Sequence, residues 1–79
     1  MVAKTDPLNV EYENRAKNLL KGALKSKGIT YAQLVSKLGD LGIHETERNL
    51  TNKISRGGFT AAFLIQCMTA IGAASIRID

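Results

Sequence analysis

Apolar residues recur three and four apart at Leu8, Tyr12, Ala16, Leu19, Leu20, Ala23 and Leu24, a period that predicts a first amphipathic helix with one core-facing stripe. Asp6-Pro7 offers an N-cap followed by a first-position proline, and Asn9 offers a later start. On the later start, residues 1–9 are a flexible N-terminal segment and 10–79 a single domain. Gly28 ends the helix where a left-handed backbone is tolerated, and Ile29 can fold back on Leu24 as the apolar contact of a Schellman ending.

Thr30 and Gln33 then stand at capping-box spacing, with Ile29 and Leu34 placed as a hydrophobic staple around the cap. The second helix should bury Tyr31, Leu34, Val35, Leu38 and Leu41, and Gly42-Ile43 repeats the stop written by Gly28-Ile29. Thr46 caps a third helix that runs to about Arg56, with His44 as an earlier alternative, while Glu45 and Glu47 suit the positive end of its dipole. In this helix Leu50 and Ile54 form an inner edge, and Arg48, Asn49, Asn52, Lys53 and Arg56 project outward or sideways at about 100° per residue.

Gly57-Gly58 breaks the third helix, and Phe59-Thr60 opens a fourth with a cap and a staple partner for Leu64. That fourth helix is apolar over more of its circumference than one core face requires: only Ala62, Gln66, Thr69 and Ala73 are less apolar. Either it is central, packed by the other three, or part of it meets a second subunit. After Gly72, Ser75-Ile76-Arg77-Ile78 alternates in the manner of a short C-terminal strand, which either frays or pairs with its copy in a second molecule. The expected fold is therefore all-α, four helices with that short strand.

Composition narrows the class. At 79 residues, 44% hydrophobic and 23% charged, the chain is one small globular domain with room for one core. Such a core is marginal without staples, so a homodimer is expected, through Phe63, Ile65 and Met68 of the fourth helix with Ile76 and Ile78 of the tail. Cys67 is the only cysteine, which excludes an intramolecular disulfide and leaves a small core side chain. The N-terminus lacks the apolar stretch of a secretion signal and no apolar run is long enough to span a bilayer, so a cytoplasmic protein without membrane contact is expected.

Eleven Lys and Arg against seven Asp and Glu give a formal +4, which favours a polyanionic partner, although a charge of this size also simply keeps a domain dispersed. The outward residues of the third helix are the types that read DNA. Arg48 suits guanine, Asn49 or Asn52 suits adenine, and Lys53 and Arg56 suit phosphate. Lys17, Lys21 and Lys25 form an i, i+4 ladder on the first helix that can extend a backbone-binding surface or stay solvated, and Glu13-Lys17 has the orientation of a stabilising helical pair. His44 with Glu45 and Glu47 forms no recognisable metal geometry, Cys67 has no base near it in sequence, and no glycine-rich phosphate loop follows a strand. No enzyme, cofactor, metal or small-molecule substrate is expected.

The segment Lys27 to Gly39 followed by Asn52-Lys53-Ile54-Ser55-Arg56-Gly57 resembles the phage-repressor and Cro-like helix-turn-helix superfamily, over roughly Leu19 to Gly72. More closely, Glu45 to Gly57 with Phe59 and Ala61-Ala62-Phe63 resembles a compact bacterial family that has no assigned activity. The superfamily likeness implies that the second helix lies on the phosphate backbone near Thr30, Tyr31 and Gln33, while the segment from Thr46 to Arg56 enters the major groove. This chain departs from the superfamily in a longer connection, Asp40 to Glu45, and in Ser55 where an acidic residue is common. The expectation is a homodimeric transcriptional regulator that binds double-stranded DNA. The alternative is a non-catalytic interaction or assembly module that uses the fourth helix, residues 60–72, and the C-terminal strand.

Overall fold

A computed structural model describes residues 6–76 and Ile78. Four helices account for its regular structure: α1 (Pro7–Lys27), α2 (Tyr31–Asp40), α3 (Glu47–Arg56) and α4 (Ala61–Ala70). Each begins where a side-chain oxygen meets an orphan backbone N–H. Asp6 accepts from Leu8, Thr30 from Gln33, Thr46 from Asn49 and Thr60 from Phe63. The Thr30–Gln33 capping box is complete, because the Gln33 side chain also accepts the Thr30 N–H at 2.8 Å.

The endings follow the same economy. The Ile29 N–H donates to the Leu24 carbonyl, Ile43 to Leu38 and Ala73 to Met68, three Schellman closures with a left-handed glycine before each donor. Asp6 rather than Asn9 is the first cap, so Pro7 to Asn9 belong to α1 and not to a flexible segment; residues 1–5 of that expected segment lie outside the described residues.

The core is built from Leu20, Leu24, Leu34, Leu38, Leu50, Ile54, Phe63, Cys67, Met68 and Ile71. The helix stripes predicted from periodicity supply it, with two corrections at their ends. Leu8 and Tyr12 stay more than half exposed, and Leu41 is 49% exposed. At about 1.5 Å per residue α1 is some 31 Å long against about 15 Å for each other helix, so its first turns run past the bundle. Leu41 caps α2 on the solvent side of the turn while Ile43, next in the Schellman closure, points back to the core.

No helix is central. Backbone approaches join α1 to α3, α3 to α2, α2 to α4 and α4 to α1, closing a ring in which α3 and α4 face each other across the core. The apolar excess of α4 is thus not absorbed by three neighbours: Phe63, Cys67 and Met68 are buried, while Ala62, Ile65 and Thr69 form an open face. The tail forms no strand among its described residues: Ala73 to Ile76 and Ile78 have no regular structure, and Arg77 and Asp79 lie outside the described residues. A strand needs a ladder partner, and none of the four helices offers one.

Candidate nucleic-acid interface

α3 is short, strongly two-faced and tied down at both ends. Thr46 caps its start, the Thr51 hydroxyl donates to the Glu47 carbonyl, and Gly57 closes it at φ +70°. Of the glycines, Gly57 has the closest neighbour. A Cβ at this position would stand 2.2 Å from the Glu13 carbonyl oxygen, so only glycine allows both the left-handed turn and the close approach of α3 to α1. This contact and the fully buried Leu50 and Ile54 fix which side of α3 faces outward.

Arg48, Asn49, Asn52 and Arg56 are all exposed on that outward side, whereas Glu47, also exposed, stands in the first turn on the same side of the wheel as Leu50 and Ile54. Among the described residues, none of the first four makes a side-chain hydrogen bond or ion pair within the chain. Lys53, exposed at the side of this arc, differs in having partners. Its ammonium bonds to Glu45 Oε1 at 2.5 Å and lies 5.1 Å from the centre of the Phe63 ring. On a helical wheel Lys53 stands about 80° from the middle of the Leu50–Ile54 edge, nearer the core than any other cation of α3, so its long side chain reaches the boundary of α4 while staying in contact with solvent. Lys53 is about half exposed and the Glu45 side chain 13% exposed, so the pair contributes about 0–1 kcal/mol. Its larger effect is to pair one cation of α3 with one carboxylate of the preceding turn.

Beside this pair, Cys67 is buried and free. Burial first, and then the Glu45 charge, push its thiol up to about 11, with Lys53 pulling weakly the other way. A thiol held neutral in this way is a core side chain rather than a nucleophile.

At the start of α2, Thr30 and Gln33 are exposed and Tyr31 is half-buried, with burial pushing its phenol above the usual tyrosine range. The capping box uses acceptor oxygens of Thr30 and Gln33. The Thr30 hydroxyl hydrogen and the Gln33 amide hydrogens remain as donors, which is the polarity a phosphate oxygen needs. Thr46, likewise exposed and using its oxygen as the cap acceptor, keeps a donor on the flank of α3.

The residues expected at a dimer interface separate into two groups. Phe63 and Met68 belong to the chain's own core, at 5% exposure each, because their spacing on α4 matches the buried Cys67 rather than the open face. Ile65, Ile76 and Ile78 are exposed at 60%, 39% and 83%. A groove of about 470 Å³ lies beside Ile76, between the second half of α1 and the tail, floored by Leu19, Ala23 and Met68. Glu13 and Lys17 do not form the helical pair their spacing suggests: the Glu13 carboxylate is turned against Gly58, where a Cβ would stand 2.7 Å from its Oε2. No helix among the described residues is long and apolar enough to cross a membrane.

No curated protein and no solved structure matches the chain. No repressor-type helix-turn-helix family is found either. A family described as a domain of unknown function (DUF6471) matches residues 12–76, which span α2, α3, α4 and all but the first turns of α1. On that match the protein belongs to the DUF6471 family.

Proposed function

We propose that this domain binds double-stranded DNA as a small homodimeric transcription regulator of the repressor-like helix-turn-helix type. In this reading α3 lies in the major groove and the N-terminus of α2 lies on the phosphate backbone. The observation that carries the reading is the open, unpaired set Arg48, Asn49, Asn52 and Arg56 on the outward side of one rigidly held helix. Arg48 has the fork geometry for guanine and Asn49 or Asn52 the donor–acceptor pair for adenine, each good bidentate contact being worth about 1–3 kcal/mol of discrimination. Arg56 and the donors of Thr30, Gln33 and Thr46 serve phosphate, with Tyr31 packed beside them; Lys53, held by Glu45, is outside this set. The homodimer uses Ile65 with Ile76 and Ile78, and a two-fold pair of α3 helices calls for half-sites about 34–36 Å apart, or a multiple of that.

The test is retardation of mixed duplex fragments at increasing salt, compared between the native chain and Arg48→Ala/Arg56→Ala with unchanged circular dichroism. A DNA binder loses affinity steeply with salt through counterion release, and loses more in the double variant. A second reading, an assembly module acting through α4 and the tail, is favoured by the exposure of Ile65 and Ile78. That reading requires neither salt-sensitive DNA binding nor any effect of the arginine substitutions.

A further inference from the structure

From Asn14 to Lys27, α1 carries five cations and no carboxylate. Three of these have local explanations. Arg15 lies over the Tyr12 ring at 5.3 Å, and Lys25 and Lys27 sit in the last turn, where positive charge complements the helix dipole. Lys17 and Lys21 are left, and the fold gives them a position.

In the ring of helices α3 touches both α1 and α2, while α4 touches both from the other side. The outward face of α3 is therefore bordered by one edge of α1 and one edge of α2. The α1 edge is identified by Gly57, which presses on the Glu13 carbonyl, the group that accepts the Lys17 N–H in a regular α-helix. Lys17 thus starts at the α1–α3 seam, beside the turn that follows Arg56. Lys21 lies about 6 Å further along α1 and rotates about 40° away from the seam. Glu13, which would otherwise neutralise Lys17, points to Gly58, and the one ion pair among the described residues is Lys53–Glu45.

We infer that Lys17 and Lys21 form a phosphate-contacting rail along α1, continuous with Arg56, that grips one backbone strand of the duplex whose groove α3 occupies. This rests on the DNA-binding reading above and adds a contact surface outside α2 and α3. The rail carries no base-reading chemistry: an ammonium is a point charge that meets phosphate without sequence preference.

The measurement is the slope of log affinity against log salt on a mixed-sequence duplex and on duplexes enriched by selection, for the full chain and for Lys17→Gln/Lys21→Gln. Each lost phosphate contact lowers the slope by about 0.9, so the double variant is expected to lose about 1–2 units of slope, keep its ranking of selected duplexes, and regain the slope as Lys17→Arg/Lys21→Arg. Arg48→Ala, by contrast, is expected to alter the ranking. A Gln variant with native circular dichroism and an unchanged slope overturns the rail while the DNA reading stands on the native chain's own slope. A native chain that shows no salt-dependent duplex binding overturns both.

Discussion

α3 and α4 are built to one plan and end up doing opposite things. Both span ten residues, both start at a threonine whose hydroxyl accepts the third N–H, and both are followed by a glycine at positive φ. α3 buries two residues and presents amides and guanidinium groups; α4 buries three and presents Ala62, Ile65 and Thr69. The caps decide where a helix exists and the wheel decides what it can touch, so identical boundaries are compatible with a polar, cationic face on one helix and an apolar face on the other.

The largest break in this symmetry is expected at the closing glycines. Gly72→Ala meets open space and should cost about 1–2 kcal/mol, the left-handed penalty alone. Gly57→Ala has the same backbone strain and must also displace the Glu13 backbone, so chemical denaturation should show a clearly larger loss than for Gly72→Ala. Equal losses would mean that α3 is not seated on α1 as described.

A second contrast uses pH. The folded Cys67 thiol, at about 11, binds its proton more tightly than the ordinary thiol at 9.0, so between those values the unfolded chain holds fewer protons and stability falls as pH rises. Urea titrations at several pH values should show this decline, and Cys67→Ala should flatten it relative to the native chain. A slope identical in the two proteins would remove the thiol from the account.

Smaller effects sharpen the rest. Thr46→Ala and Thr60→Ala should each cost about 1 kcal/mol, and by similar amounts, since both remove one cap bond. Ile65→Lys should change stability by no more than about 0.5 kcal/mol while lowering the sedimentation coefficient at high micromolar concentration if the open face of α4 pairs with its copy. An unaltered self-association would take Ile65 out of any interface.

What could be read from sequence was local. Thr30-Gln33, Thr46 and Thr60, and the pairs Gly28-Ile29 and Gly42-Ile43, mark helix limits through bonds spanning three to five residues, and the structure forms those bonds. Leu50 and Ile54 were legible as an inner edge for the same reason, a fixed angle per residue. The rest depended on which helices meet. Nothing within a few residues of Lys53 places Glu45 and Phe63 around its ammonium, although its wheel position near the core was a hint. The approach of Gly57 to Glu13, the loss of the Glu13–Lys17 pair, and the division of the expected dimer residues into buried Phe63 and Met68 and open Ile65, Ile76 and Ile78 are all products of packing between distant segments. Among the described residues the tail's alternation meets no strand within the chain, and period two alone does not create a sheet.

The ring of helix contacts bears on how the chain acquires its shape. α1 does not approach α2, and α3 does not approach α4, at the level of the backbone. A cut in the connection after Asp40 would therefore yield two fragments, each holding a pair of helices whose close backbone neighbours all lie in the other half. Such fragments should be unstructured when separate and regain helicity on mixing, so that the two halves of this small domain behave as obligate complements of one another.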